Sequence, residues 1–349
     1  MQGRAGCPTL VSMDWRNKAD STAFGEGAAK LDSARGAVAK TVFTAEEARA
    51  SGMTEYQLRH RWLVVPTPGI RLWDLGDLPW REVVEAVSSL PGEQYLSHST
   101  AARLWGLWLP HHLEEDWPIH VTGRKGESGA RRRPGIQGHK AGLDDEDVVE
   151  LDGLRLTTPA RTWLDLSTQI KDPVWLVAAG DALLQRSKDP VRPGGVLGEN
   201  PLCTLAEVDA VLGRRRRTKG INAARQAREL IREGVDSPAE TLLRLIIVDA
   251  GLPEPVVNQE VWLSPTLKRR PDLHYPQWRI AIQYDGRGHG EATQLNSDIK
   301  RDSDFTDHGW ESVKAADDVY RSDGARQFLE RLRRAIHRQS RVTSTVTVV

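Results

Sequence analysis

The chain has 349 residues, of which 39% are hydrophobic and 28% charged, and 48 Lys and Arg balance 48 Asp and Glu. A formal net charge of +0 excludes a uniformly basic nucleic-acid binder, so contacts to a polyanion must come from local patches. No apolar run reaches the roughly 18 residues of a membrane helix, and no basic segment followed by an apolar stretch opens the chain, so a cytoplasmic protein with no membrane partner is expected.

Residues 1–40 are rich in Gly, Ala and Ser and read as a leader or flexible arm. Residues 41–75 follow as a compact module. Thr44-x-x-Glu47 and Thr54-x-x-Gln57 are capping-box patterns that start helices reaching Ala50 and spanning Glu55–Arg61, with Gly52 between them. Two β-rich runs flank Pro66–Gly69 and predict a hairpin. Helix, turn, helix, hairpin is the order of a winged helix-turn-helix. Tyr56, Gln57, Arg59, His60 and Arg61 fall on or near the second helix, the one expected to enter a DNA major groove, and Arg71 in the hairpin is expected to reach a neighbouring groove or phosphate.

Residues 76–200 read as an α+β middle domain ending in a linker. Helices are predicted over Leu78–Leu90, Ser99–Leu107, Ala160–Leu166 and Pro173–Leu184, and strands over Pro118–Thr122 and Leu154–Leu156. Gly123–Gly138 reads as a loop holding Arg124, Arg131 and Arg132, and Pro190–Gly198 as the linker. Residues 201–340 form the last predicted domain, and 341–349 a disordered tail. The run Arg214, Arg215, Arg216 joins the Arg124–Arg133 loop as a candidate phosphate grip, although such runs are more often solvated loops. Cys7 and Cys203 have neither metal-ligand nor redox spacing, so two free thiols are the simpler reading and one disulfide stays open.

In this last domain Ser237, Pro238 and Glu240 make a helix start, with Ser as N-cap, Pro at N1 and Glu at N3, and Gly251 ends that helix. The period then switches to strands over Val256–Trp262, Arg270–Tyr275 and Arg279–Asp285. Helix returns over Leu295–Asp307, a short strand over Trp310–Val313 and a final helix over Gly324–Ile336, giving an α/β layer with a mixed sheet. Alternation puts Ile280, Ile282 and Tyr284 on one face of the third strand and Ala281, Gln283 and Asp285 on the other. A hairpin turning at Pro276–Trp278 would bring Asp272 level with the 283–285 pair. Such oxygen donors suit Mg²⁺, which polarises a phosphoryl oxygen and acidifies an attacking water; Mn²⁺ can substitute. Glu240 could add a carboxylate, against the plainer reading of a capping residue. His289, in a glycine-bracketed loop, and Asp298 with Arg301, at i,i+3 on one helix, complete the candidate set.

Ser237–Glu240, Pro271-Asp272-Leu273 and Ile280–Gly286, with His289, Asp298 and Arg301, resemble a domain of unknown function related to very-short-patch-repair endonucleases, within the PD-(D/E)xK nuclease superfamily. The resemblance covers about Pro238 to Ile336 and implies a restriction-endonuclease-like mixed sheet flanked by helices. It implies Glu240 as the helix carboxylate, Asp272 as the central metal ligand, Asp285 in the place of the superfamily lysine, and His289 as general base or phosphate contact. Asp298 and Arg301 would support the site, with Arg301 touching phosphate. Gln283 stands where that group usually has Glu, which implies attenuated cleavage, whether the change is natural or deliberate. Phe43–Trp73, Ser97–Trp105 and Thr157–Arg161 resemble the AbiEi-type antitoxins of type IV toxin–antitoxin systems. Three functions follow as expectations: a Mg²⁺-dependent DNA endonuclease, a catalytically inactive antitoxin-like regulator, or a protein-interaction role. A homodimer would suit palindromic double-strand cutting, and a monomer nicking.

Overall fold

The computed structural model describes residues 38, 40–60, 62–73, 79–115, 117–124, 133–186, 201–285 and 302–346. The chain divides into two compact units, Met1–Leu90 and Pro91–Val349.

In the first unit, β1 (Val42–Thr44) leads into α1 (Ala45–Ala50), a 3₁₀ turn (Gln57–Arg59), β2 (Leu63–Val64), β3 (Ile70–Trp73) and α2 (Trp80–Ser88). The three strands form an antiparallel sheet in the order β1-β3-β2. The first capping box forms as expected: the Thr44 hydroxyl accepts from the Glu47 N–H at 3.0 Å, and the Glu47 carboxylate accepts from the Thr44 N–H at 2.7 Å. The expected second helix, Glu55–Arg61, is replaced by the single 3₁₀ turn. Leu58 and Leu63 both enter the core formed with Phe43, Met53 and Trp73, and the backbone becomes extended at His60 to deliver Leu63. The predicted Leu78–Leu90 helix is α2, and it packs against β1 and β3 in this unit, not in a middle domain.

The second unit is mixed α/β and carries two main sheets. The five-stranded sheet has the order β6-β5-β4-β8-β7, from β4 (Gln94–Leu96), β5 (Ile119–Arg124), β6 (Ile136–Ala141), β7 (Val148–Leu151) and β8 (Leu154–Thr157). It is packed with α3 (His98–Trp105), α4 (His111–Glu114), α5 (Pro159–Leu166) and α6 (Pro173–Leu184). Ile136–Ala141, whose first residues were expected within a loop, pairs in parallel with β5. Next come α7 (Leu205–Arg214), α8 (Ile221–Leu230) and α9 (Pro238–Asp249).

The four-stranded sheet, order β14-β13-β12-β9, uses β9 (Val256–Val257), β12 (Leu273–Tyr275), β13 (Ile280–Asp285) and β14 (Glu311–Ala316). A separate hairpin, β10 (Val261–Ser264) with β11 (Leu267–Arg269), interrupts the run. α10, described over 302–307, precedes β14, and α11 (Ser322–Val346) closes the fold. α11 runs ten residues past the expected end at Ile336 and into the expected disordered tail, since 337–346 contain neither Gly nor Pro to stop it.

The middle and last regions, expected to be separate domains, belong to one compact unit. Two buried ion networks explain this. Arg161 on α5 bonds Asp147 at 2.9 Å and Asp165 at 3.0 Å, and Arg214 and Arg215 at the end of α7 close on the same Asp147. Asp181 on α6 meets Arg244 on α9 at 3.1 Å, with both side chains fully buried. A buried charge without its partner is costly, so each network ties early helices to late ones. Among the described residues no helix is long and apolar enough to cross a membrane. Cys203 is a buried free thiol, pushed up to about 12 by burial; Cys7 lies outside the described residues.

Candidate functional site

The β12–β13 hairpin organises the site. Its turn is the expected Pro276–Trp278, here one 3₁₀ turn followed by Arg279 at φ 50. The pairs Leu273↔Ile282, His274↔Ala281 and Tyr275↔Ile280 set the register, and one more step along it puts Asp272 opposite Gln283. Ile280, Ile282 and Tyr284 pack into the main core with Leu273 and Phe328, while Ala281 packs on the other face with Val261 and Phe305. Period-two alternation therefore places Asp272, Gln283 and Asp285 on one face. The Asp272 carboxylate accepts a hydrogen bond from the Tyr284 backbone N–H at 2.8 Å, which fixes it beside the strand between residues 283 and 285.

Asp285 is exposed at the strand end, whereas Gln283 is only 6% exposed. The Gln283 Nε2 has no hydrogen-bond partner among the described residues. A half-turn of the amide exchanges Nε2 for Oε1, so either atom can occupy that position.

Glu240 approaches from the first turn of α9. Ser237 caps the helix, its hydroxyl accepting from the Glu240 N–H at 3.3 Å, so the predicted start is observed. The Glu240 carboxylate accepts from the Asp236 N–H at 2.9 Å and the Ser237 hydroxyl at 3.1 Å, and from the Asn258 amide. Burial pushes its carboxyl up to about 7; the Asp272 charge adds to the rise, and the donors oppose it. The folded protein thus keeps a proton that the unfolded chain loses near pH 4.5. Stability from this group is complete below pH 4.5 and falls as pH rises through about 7, by about 3 kcal/mol. In urea titrations with EDTA, Glu240→Gln is expected to flatten the pH dependence over that window. An unchanged slope would contradict the buried, proton-holding carboxyl.

Three residues of this neighbourhood were not visible as candidates in the sequence. Lys314 pairs with Gln283 across the parallel β13–β14 ladder and shares its face, carrying a cation to the acidic cluster, where its Nζ bonds Asp302. His274 lies on the Asp272 face, buried, with Nδ1 unpartnered among the described residues and its proton affinity lowered by burial. Asn258 steadies Glu240. Only Lys314 had a local signal, alternation along its strand, and its pairing with the distant Gln283 is set by the parallel ladder alone.

His289, Asp298 and Arg301 lie outside the described residues, as do Arg61, Arg131 and Arg132. Among the described residues, no group of three or more His, Cys, Asp or Glu side chains is arranged to hold a metal ion. The oxygen-bearing side chains that share this face of the hairpin are the Asp272 and Asp285 carboxylates and the Gln283 carboxamide.

The remaining candidates are placed as follows. Tyr56 is 75% exposed and Arg59 is exposed. Gln57 is turned onto its own backbone, accepting from the Thr54 N–H at 2.8 Å, and the His60 ring stacks on Trp62 at 3.6 Å. Arg71 donates to the Leu58 and Ile70 carbonyls, both at 2.9 Å, and so braces the 3₁₀ turn. Arg124 pairs with Asp145 at 2.6 Å, and Arg215 with Asp144 at 2.8 Å, in addition to the Asp147 contacts of Arg214 and Arg215. Arg216 is exposed and donates to the Gly213 carbonyl. Of the two expected phosphate grips, Arg124, Arg214 and Arg215 are thus engaged by acidic side chains of the chain itself.

A second polar cluster surrounds the Ser97–Thr100 segment. His98, at φ 53, stacks on His139 at 3.7 Å, and His139 bonds His120 at 2.8 Å. Burial and mutual repulsion depress His98, and His139 falls to about 4. The His98 and His139 rings are thereby disposed to stay neutral, and with His120 they fasten α3 to β5 and β6.

No known family profile matches the chain. It is 26% identical over 229 residues to the uncharacterized protein Rv2248 of Mycobacterium tuberculosis strain H37Rv, and equally to the uncharacterized protein MT2308 of strain CDC 1551. Each match spans 64% of this chain and 75% of the relative. The crystal structure of the RV2827C protein from Mycobacterium tuberculosis aligns with a TM-score of 0.40 and 16% identity, over 69% of this chain and 89% of that one. A likeness at that score carries no argument, and the relatives are uncharacterized, so function is argued from the site itself.

Proposed function

We propose that the protein is a Mg²⁺-dependent DNA endonuclease whose cleavage is attenuated by Gln283. What supports this reading is that Asp272, Gln283 and Asp285 share one face of a paired hairpin, with the Asp272 carboxylate bonded to the Tyr284 N–H. Oxygen donors of this kind fit a hard divalent cation that retains water, with Mn²⁺ as substitute. When bound, the cation supplies positive charge for a phosphoryl oxygen and acidifies the attacking water. Asp272 and Asp285 would hold the cation through their carboxylates and Gln283 would contribute a neutral carbonyl, so the site would bind more weakly than one with three carboxylates. Lys314 balances the charge of Asp302 at the edge of the cluster. Glu240, already engaged by three donors, positions the cluster and sets its proton count.

For the first unit we read a DNA-binding module in which Tyr56 and Arg59 are the side chains presented outward, while Gln57, His60 and Arg71 shape the turn. The neutral Gln283 and the two-carboxylate donor set favour one alternative, a catalytically inactive DNA-binding regulator of the antitoxin type.

The two readings part in one assay. The protein is incubated with plasmid, mismatched and branched DNA in Mg²⁺ or Mn²⁺, and any ends are mapped. Metal-dependent ends with defined termini support the endonuclease. Protected, uncut operator-like sites in a footprint, with no ends from either metal, support the regulator.

A further inference from the structure

α11 is amphipathic in charge as well as in hydropathy. Phe328, Leu332 and Ala335 are fully buried against the four-stranded sheet. From Arg331 to Val346 the helix holds five arginines and no Asp or Glu. Arg331, Arg334 and Arg338 recur at i, i+3 and i+7, so they share the flank next to the apolar stripe. That flank faces the edge of β14, the terminal strand of the described sheet. There the three arginines, with Lys314 and Asp285, line an open groove of about 800 Å³.

Asp285, Asp302 and Glu311 line the groove together with the arginines and Lys314; Arg331 and Arg338 are anchored along β14 at Lys314 and Glu311, while Asp285 lies at the end of β13, level with Ala316. Arg338 is bridged to Glu311, and Arg331 donates to the Lys314 carbonyl at 3.3 Å. Arg334 is exposed and makes no hydrogen bond or ion pair among the described residues. Like charges stacked along one flank repel one another, and a polyanion relieves that repulsion. Arg331 to Arg338 covers about 10 Å of helix axis, over which one DNA strand presents about three phosphates.

We infer that this groove seats a DNA strand, with Arg331, Arg334 and Arg338 contacting successive backbone phosphates and leading the strand to Asp285. The direction toward Asp285 rests on the proposed endonuclease site; the seating of the strand does not. Such contacts position the backbone and carry no sequence information.

The test uses the full chain in EDTA, so that binding is read without cleavage. Affinity for a fluorescent DNA duplex is measured across a salt series for the parent, for Arg331→Gln/Arg334→Gln, and for Arg326→Gln/Arg333→Gln on the opposite flank. Arg338 is left intact because its loss strands Glu311. Each lost phosphate contact removes about 0.9 from the slope of log K against log salt, so the groove variant is expected to lose nearly 2 in slope and to bind roughly tenfold or more weakly at 0.1 M salt. The opposite-flank variant should match the parent. Equal losses in both variants, an unchanged slope in the groove variant, or no DNA binding by the parent would each overturn the inference. Thermal unfolding of both variants checks that the helix is intact. If no cleavage is ever found while the slope falls as expected, the endonuclease reading fails and the groove stands; the reverse pattern sinks the groove alone.

Discussion

Gln283→Glu is expected to raise Mg²⁺-dependent DNA cleavage at least about tenfold. The exchange is near-isosteric, so the buried position between Ala281 and Asp285 is kept while a carboxylate replaces an amide whose Nε2 has no partner among the described residues. A third negative oxygen donor on the Asp272 face strengthens the hold on a divalent cation, and the gain appears in cleavage because the cation's charge acts on the phosphate. The measurement is the initial rate of plasmid nicking for both proteins, in Mg²⁺ and in Mn²⁺. Asp272→Asn in the Gln283→Glu background should return the rate to background. Equal rates with Gln and Glu at 283 in both metals would count against the assigned ligands.

Arg244→Met should destabilise the second unit by about 3–5 kcal/mol. The Asp181 carboxylate is fully buried and relies on Arg244, the Thr241 hydroxyl at 2.7 Å and the Arg232 N–H at 2.7 Å. Burial already raises Asp181 to about 6, and Arg244 holds it down. Without that cation the folded protein gains by keeping Asp181 protonated, so the deficit should shrink as pH falls toward 5. Arg244 also donates to the Leu230 carbonyl at 2.8 Å and to Glu254 at 2.7 Å, bonds that Met cannot make. Urea midpoints at pH 7.5 and 5 check both points. Pairing the change with Asp181→Asn should recover part of the loss, because the stranded charge is then gone. A loss below about 1 kcal/mol would show that the network is solvated rather than buried.

The legible parts of this chain are those set by neighbours in sequence. Ser237, Pro238 and Glu240 announce a helix start because capping is decided within four residues. The alternation from Ile280 to Asp285 and the turn at Pro276–Trp278 announce the hairpin for the same reason, and with it the level of Asp272. What depends on distant pairing was not legible. Lys314 reaches Gln283 only through a parallel ladder, and β6 is a strand because β5 lies beside it. Arg214 and Arg215 read as exposed phosphate grips because nothing local shows that Asp147, 67 and 68 residues earlier, takes them inward. The second helix of the first unit was over-read for a similar reason: the Thr54–Gln57 cap forms, yet the need to bury both Leu58 and Leu63 ends the helix after one turn.

Whether the hairpin holds a divalent cation is tested most directly by Mn²⁺ titration of the full chain, followed by electron paramagnetic resonance, with a non-cleavable duplex present. Bound Mn²⁺ should grow from the parent to Gln283→Glu and vanish in Asp272→Asn, while DNA affinity in EDTA stays the same in all three. Mn²⁺ uptake that ignores both substitutions would contradict the account.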